Sequence, residues 1–451
     1  MSNDKILQNI TSVHFIGIGG ISLSALAKLM ASQGKIVTGS DTKKSKMTDS
    51  LKKFGILVSI GHKANNIKNP DVVVFTSAIK PDNIELKTAK HKHILTLERA
   101  DFLSFIASEY ENIIAVSGSH GKTTTCGMIA SIFICAKLNP TVHIGGESET
   151  TNGNMYIGDK KFFITEACEY KDSFLKLKQT VGVILNIEYD HSDYFKSVLQ
   201  IIDSFDKFSK NSSEMTIIEE KHKHLLSDQE NIITFGFNNA NFTAKNIMLN
   251  NNFHITFDCY INNEFLEQFE LSSPINHNVY NALASIAVAK YYNVPVNDIK
   301  QGLLLFKGIK RRFEFVREFK KNIIIHDYAH HPTELLSTIK ACQSIYNKPL
   351  IAVFQPHTYS RTKSFMKDFL GSFSSCDQVF IVKTYKAREK KIKGGSAKDL
   401  YNNLKFIKKN CVYFSSFVAV KNYIKRHHIK NNIILVLGAG DIEELAYNHL
   451  K

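Results

Sequence analysis

Three times along this chain a short β-branched run passes through a glycine-rich or polar turn into a helical stretch. The segments are VHFIGIGGISLSALAKLMASQG at 13–34, NIIAVSGSHGKTTTCGMIASIFICAKL at 112–138 and NIIIHDYAHHPTELLSTIKACQSI at 322–345. A strand that turns directly into a helix opens a βαβ unit, and such units build parallel sheets covered by helices. Further strand-like runs follow each opening: DVVVFTSAI (71–79), VGVILNIE (181–188), LIAVFQPH (350–357), QVFIVKTY (378–385) and NIILVLGAG (432–440). The stretch from about 211 to 275 has another rhythm. It alternates polar and apolar residues, as in NFHITFDCYI (252–261), between Asn-rich turns, and reads as antiparallel hairpins. The expectation is an α/β chain of three domains, 1–108, 109–313 and 314–451, the middle one with added antiparallel strands. A length of 451 residues accommodates that number.

Composition narrows the function by exclusion. No apolar run reaches the ~18–20 residues of a membrane span. The start, MSNDKILQNITSVHFIGIGG, has neither a basic n-region nor a cleavage site. Seven cysteines without a CxxC pair fit a reducing compartment, most of them as small core residues. A cytoplasmic protein with no membrane partner is therefore expected. The net charge of +15 comes from lysines spread over the whole chain, with no RNP, zinc-finger or helix-turn-helix pattern. Nucleic acid is not an expected partner. Of 57 basic residues only seven are Arg: Arg99, Arg311, Arg312, Arg317, Arg361, Arg388 and Arg426. In a chain so biased to Lys, a retained Arg points to fork-shaped anion binding, most strongly at Arg311–Arg312 and at Arg361.

Two of the turns have phosphate-binding character. Gly17-Ile18-Gly19-Gly20-Ile21-Ser22 leaves the first strand and enters the first helix. Glycines there let the backbone approach a diphosphate, and the helix N-terminus supplies free N–H groups. Ser22 stands where a dinucleotide fingerprint has its third Gly, and Asp41, ending the next strand, is placed to hold a ribose hydroxyl. The competing reading is a tight βα turn that binds nothing. The second loop, Gly118-Ser119-His120-Gly121-Lys122-Thr123-Thr124, is sharper. Its backbone N–H groups would cradle phosphates, Lys122 would reach the β/γ oxygens, and Thr123 would hold Mg²⁺. Val116 occupies the position of the first Gly in the Walker pattern, so the loop is two residues tighter. A nicotinamide dehydrogenase needs only the first loop and a simple ATPase only the second. A ligase that consumes ATP to modify a nucleotide-bearing substrate needs both.

The stretch ITEACEYKDSFL (164–175) begins as a buried strand yet carries Glu166 and Glu169. Parallel strands present their C-terminal ends to one crevice, so FFITE delivers Glu166 beside the second loop, where Mg²⁺ on ATP wants carboxylate oxygens. The strand VGVILNIE brings His191 to the same mouth.

GIGG, SGSHGKTTT, EACEYKDSFL, NIEYDHSDYF, HNVYNALA, GIKRRFE, DYAHHPTE, FQPHTYSRT and GAGDI occur in the order seen in the Mur ligases, and from about residue 13 to 442 the chain resembles that family. The resemblance implies an N-terminal Rossmann-like UDP-binding domain, a central P-loop ATPase domain and a C-terminal Rossmann-like domain that brings the amino acid. It implies ATP-dependent joining of L-alanine to the lactyl carboxylate of UDP-N-acetylmuramate through an acyl phosphate, in peptidoglycan precursor synthesis. ATP and Mg²⁺ are the implied cofactors, and the sugar nucleotide and L-alanine the partners of a monomer or weak homodimer. Carried over by motif, Gly118, Ser119, His120, Gly121, Lys122, Thr123 and Thr124 would bind ATP with His277, Asn278, Asn281 and Arg311. Thr123, Glu166 and His191 would hold the metal. Lys122, Glu166, His191, Asn278, Asn281, Arg312 and Asp327 form the implied catalytic set, with Arg311 or Arg312 reaching across a cleft to the phosphates. Gly17, Gly19, Gly20, Asp41 and Ser77 would bind the UDP-sugar, and Tyr328, His330, His357 and Arg361 the amino acid.

The chain departs from the family pattern in places. Cys168, Tyr170 and Lys171 stand where EADESD has Asp, Ser and Asp. His326 begins the usual DDYAHHP, Thr358 replaces an Arg, and Ile275 a Gly. A sister ligase that attaches a recycled tripeptide to the same sugar nucleotide is the near alternative, and FQPH favours the alanine enzyme. A non-catalytic nucleotide-binding regulator is a more distant one. The neighbouring His330, His331 and His357 raise zinc as a rival to Mg²⁺, and the base that deprotonates the incoming amine is open between His191 and a C-terminal His.

Overall fold

The structure, a computed structural model, describes residues 7, 9–191, 194–227, 230–387 and 389–451. Ser192 and Asp193 of the NIEYDHSDYF motif, and Arg388, lie outside the described residues. Three sheets follow one another along the chain. The first comprises β1 (Ser12–Ile16), β2 (Ile36–Asp41), β3 (Leu57–Ile60), β4 (Val72–Phe75) and β5 (Leu95–Glu98), in the order β3-β2-β1-β4-β5 and parallel throughout. The order reverses beside β1, so the turn after β1 opens into a crevice at the switch point.

The middle sheet has ten strands: β6 (Asn112–Ser117), β7 (Thr141–Ser148), β8 (Gly153–Tyr156), β9 (Phe162–Glu166), β10 (Val181–Ile184), β11 (Met215–Glu219), β12 (Ile232–Gly236), β13 (Phe242–Leu249), β14 (Ile255–Ile261) and β15 (Glu264–Leu271). Their order is β15-β14-β13-β12-β11-β10-β6-β9-β7-β8. The hairpin expectation for 211–275 needs correction. Only β13, β14 and β15 form an antiparallel meander. β11 and β12 are parallel strands that extend the sheet of β6, and β13 joins β12 in parallel through two residue pairs. The reason lies in MTIIE: four consecutive residues of β11 are buried, as in a strand covered on both faces.

The third sheet holds β16 (Glu314–Phe319), β17 (Asn322–Asp327), β18 (Leu350–Phe354), β19 (Gln378–Val382), β20 (Cys411–Phe414) and β21 (Ile433–Leu437), ordered β16-β17-β21-β18-β19-β20. Only β16 runs antiparallel to its neighbour. Apolar clusters lie on both faces of this sheet.

The helix Lys122–Cys135, which begins in the Gly118–Thr124 loop, is buried nearly all round. It lies between the middle sheet and the helices His277–Tyr291 and Val296–Leu305. Gly302 permits the closest approach, since a Cβ there would stand 2.4 Å from Ile132 Cα. A second core runs from the first sheet through Phe102 and Tyr110 to Phe163, Phe174 and Phe205. Phe174 stacks on Phe208 at 4.9 Å and meets Phe205 edge-on at 5.3 Å. Pairs of this kind contribute about 0.5–1.5 kcal/mol each beyond their buried area. They pin the segment EACEYKDSF, and with it Glu169, against the sheet. Among the described residues no helix is long and apolar enough to cross a membrane.

Candidate active site

Gly118 and Gly121 take φ of +134° and +89°, the left-handed half of backbone space that glycine enters most freely. They fold the ATP loop tightly around the segment after β10. Asn186 accepts from the His120 N–H at 2.8 Å and donates its amide to His120 O at 3.1 Å. Ser119 Oγ accepts from Glu188 N at 3.0 Å. A Cβ on Gly121 would come within 2.6 Å of Asn281 Oδ1, so the helix His277–Tyr291 approaches the loop directly. Asn281 is buried and donates to Asn278 Oδ1 at 3.0 Å, and Asn278 donates to Ser273 Oγ at 2.7 Å.

The two acids of ITEACEYKDSFL have different partners. Glu169 is 1% exposed; its Oε2 lies 3.0 Å from Lys122 Nζ and its Oε1 3.4 Å from His191 Nε2. Burial pushes its pKa up, but Lys122 first and His191 second outweigh that and hold it at about 2. Burial likewise disfavours the Lys122 ammonium, and Glu169 more than offsets this, leaving the Lys122 pKa raised. Lys122 also donates to the carbonyls of Gly118 and Ser119, folding back over its own loop. Glu166 sits at the end of β9 and accepts from Gly145 N. Tyr170, one of the departures from the family motif, packs its ring 4.9 Å from that of His191 and so fixes the imidazole from the side.

Across from the loop stands the third sheet. A cleft of about 170 Å³ is lined by Gly121 and Thr123 of the loop, Asn278 and Asn281 of the helix His277–Tyr291, Arg312 in the connection before β16, and Asp327 at the end of β17. Of the adjacent arginines it is Arg312 that faces this cleft, beside Glu334 at 3.4 Å. Arg311 turns away. Its guanidinium pairs with Glu443 at 3.0 Å and lies 4.6 Å from the centre of the Tyr328 ring. That pairing leaves the expected ATP contact of Arg311 without support in this geometry. Asp327, at the end of β17, accepts from Phe313 N at 2.8 Å and Ala329 N at 2.7 Å. Burial raises its pKa to about 6 despite Arg312.

The expected amino-acid residues gather one step further along. His330 and His357 have ring centres 5.6 Å apart, and Tyr328 lies 5.5 Å from His330. Burial lowers His330 to about 3 and His357 to about 4, so both rings are neutral near pH 7. Arg361 is the bidentate fork that the sequence suggests, but a protein carboxylate fills it. Its Nη2 lies 3.0 and 3.2 Å from the two oxygens of Asp190, and its Nη1 3.0 Å from His357 Nδ1. Burial favours a protonated Asp190, but Arg361 outweighs it and keeps the carboxyl well below the usual range. Thr358 accepts from Arg361 N at 3.4 Å and so caps the helix that carries this arginine. The three-histidine zinc grouping does not assemble. His331 points away from His330 and His357, with its ring 5.2 Å from that of His120.

At the first sheet, Asp41 Oδ2 accepts from Gly19 N at 2.9 Å and closes the turn from Gly17 to Gly20. Ser22 Oγ meets His143 Nε2 of the middle sheet at 2.9 Å, joining the two loop systems. Ser77 is exposed beyond β4. Sequence reasoning left Glu188, Asp190 and Glu334 without a role and read Glu169 with Glu166 as a metal-ligand acid; Glu169 pairs with Lys122 and His191. Glu169 had a visible signal, an acid beside a buried strand; the other three lie in the quoted motifs, but only the fold reveals their partners.

Family models match the chain in three consecutive blocks: Mur ligase family, catalytic domain, at residues 12–111; Mur ligase middle domain at 116–289; and Mur ligase, glutamate ligase domain, at 311–440. A UDP-N-acetylmuramate–L-alanine ligase of Clostridium novyi is 42% identical over 448 residues, covering 98% of each chain. The crystal structure of UDP-N-acetylmuramate-alanine ligase MurC from Thermotoga maritima superposes with a TM-score of 0.84 at 26% identity, over 96% of this chain and 97% of that one. A murein peptide ligase from Psychrobacter arcticus shares the fold, with a TM-score of 0.72 at 22% identity over 96% and 97%.

Proposed function

The chain belongs to the Mur ligase family, and from that premise we propose how its three parts divide the work. It is an ATP-dependent ligase that adds L-alanine to UDP-N-acetylmuramate in peptidoglycan synthesis. Residues 1–108 hold the UDP-sugar, 109–313 ATP, and 314–451 the amino acid. The observation that carries this division is the cleft shared by Gly121, Thr123, Asn281, Arg312 and Asp327, in which the Gly118–Thr124 loop stands opposite Asp327 of the third sheet, with Arg312 in the connection just before that sheet.

The reaction presents two physical problems. A carboxylate must approach the γ-phosphate of a polyanion, and water must be kept from the product of that attack. Lys122 and Arg312 offset the first repulsion, with loop N–H groups holding the phosphates. The sugar's lactyl carboxylate oxygen attacks the γ-phosphorus, ADP departs, and an acyl phosphate forms. The alanine amine then attacks the acyl carbon and phosphate leaves. The alanine sits beside Tyr328, His330 and His357, its carboxylate competing with Asp190 for the fork of Arg361. The UDP-sugar enters over Gly17, Gly19 and Gly20, with Asp41 and Ser77 at its edge.

Thr123, Glu166 and His191 are the residues that would hold Mg²⁺. Thr123 and Glu166 offer the hydroxyl and carboxylate oxygens that this ion prefers, while the His191 imidazole faces Glu169 at 3.4 Å. Space is kept for it: a Cβ on Gly145 would stand 3.1 Å from the Glu166 oxygens, and one on Gly146 3.0 Å from the Thr123 methyl. When bound, Mg²⁺ neutralises phosphate charge.

The test is phosphate release by the purified protein with ATP and UDP-N-acetylmuramate across an amino-acid panel. L-Alanine should support release, and Lys122→Ala should abolish it. Release with L-Ala-γ-D-Glu-diaminopimelate but not with L-alanine would reject this substrate choice.

A further inference from the structure

One side-chain cluster crosses the cleft, and the ligation proposed above uses neither Glu188 nor His331 nor the imidazole of His120, whose loop holds phosphates through its N–H groups. His120 belongs to the ATP loop, Glu188 to the segment after β10, and His331 to the N-terminus of the helix Pro332–Ile345. One ligand atom from each lies within 4.8 Å of the others. His120 and His331 are 9% and 5% exposed. The far nitrogen of His120, Nδ1, is held by Glu334 Oε1 at 3.1 Å, which turns Nε2 toward Glu188 Oε2 at 3.4 Å. Both ring nitrogens of His331 are buried without a hydrogen bond, while at His120 burial is outweighed by Glu334 and Glu188, which raise its pKa to about 9, so a metal there displaces a proton. Buried polar atoms are rarely left so. A carboxylate holding the back of an imidazole is the arrangement that orients a metal-binding histidine.

We propose that His120, Glu188 and His331 bind one Zn²⁺ ion, separate from the magnesium site, which clasps the ATP loop to the third sheet's first helix. Two imidazoles and one carboxylate, with a fourth position open, are a zinc donor set rather than a magnesium one. Zinc bonds of 2.0–2.1 Å in tetrahedral geometry place ligands roughly 3.4 Å apart, so no pair needs to close by more than about 0.7 Å per side chain. Glu188 is half-buried and lines the cleft, which gives the ion a route in. Glu334 serves as the orienting carboxylate.

The experiment is equilibrium dialysis of the metal-free full chain against Zn²⁺ alone, with Co²⁺ substitution read by visible absorption. One zinc per chain is expected, with a four-coordinate cobalt spectrum free of a thiolate charge-transfer band. His331→Asn and Glu188→Gln should each weaken binding by more than the roughly 10–100-fold that loss of an outer partner costs. Glu166→Gln should leave it unchanged. The half-buried Glu188 keeps the test usable if His331→Asn does not fold. No bound zinc, a thiolate band from one of the cysteines, or binding lost with Glu166→Gln and kept with Glu188→Gln would overturn the proposal.

Discussion

Glu169→Gln removes the charge that Lys122 and His191 share while keeping the side chain's size. The magnitude follows from the site. Burial opposes the ionised carboxyl, yet Lys122 and His191 hold its pKa at about 2 instead of 4.5. At 1.36 kcal/mol per pKa unit, that difference corresponds to about 3 kcal/mol in favour of the folded, ionised form. Taking one partner from a buried pair leaves the other charge uncompensated, at a cost of about 3–5 kcal/mol. Lys122 retains 15% exposure, which argues for the lower end of that range. A loss of about 3 kcal/mol lowers the melting temperature of a cooperative unit of 150–250 residues by about 6–12 °C. The pH dependence has a definite sign. The folded pKa is depressed, so the contribution is complete above 4.5 and fades as pH falls toward 2. The gap between wild type and variant should therefore be flat from about pH 8 to 5 and narrow below that range. Nucleotide supplies the decisive control. If Lys122 receives phosphates, a saturating non-hydrolysable ATP analogue replaces the missing negative charge and raises the variant's melting temperature more than the wild type's. Scanning calorimetry with and without the analogue measures both quantities. A melting temperature within about 2 °C of wild type, or equal nucleotide shifts in the two proteins, would refute this account of the Lys122–Glu169 pair.

Arg312 lines the cleft and Arg311 pairs with Glu443, so Arg312→Ala should raise the KM for ATP or lower kcat while Arg311→Ala leaves both close to wild type; equal losses in steady-state assays would contradict the assignment. Asp190 and Arg361 meet in a buried fork, so a double-mutant cycle with Asp190→Asn and Arg361→Lys, read in kcat/KM for L-alanine, should show a coupling of about 0.5–3 kcal/mol. Additive effects would place the amino acid elsewhere. Gly121→Ala forces a Cβ to 2.6 Å from Asn281 Oδ1 at φ +89°, a left-handed conformation that costs about 1–2 kcal/mol in backbone alone. Nucleotide binding followed calorimetrically should weaken by about tenfold or more, and wild-type affinity would mean that the loop is not the phosphate cradle.

What the sequence revealed and what it hid divide along a physical line. Turns into helices are local objects: Gly17–Ser22 and Gly118–Thr124 carry turn, glycine and helix start within a few consecutive residues, so both turns could be read as a string. The strand openings were legible for the same reason. β11 was not, because MTIIE gives no sign of which neighbour it pairs with, and Asn-rich turns nearby suggested hairpins. The charge pairs are the least local features of all. Arg361 meets Asp190 across 171 positions and His120 meets Glu334 across 214. The motifs name these residues but cannot say that one arginine's fork is already filled, or that Arg311 and Arg312, both beside the Tyr328 ring, take different acid partners, Glu443 and Glu334. These contacts share a direction: Asp190, Glu188 and His120 stand on the ATP-loop side, while Arg361, Glu334 and His331 stand on the third sheet. The site is therefore completed by the approach of two sheets rather than built on either one. If this cleft is the catalytic site, substitutions that loosen these cross-cleft pairs should lower kcat even where no substrate atom touches them.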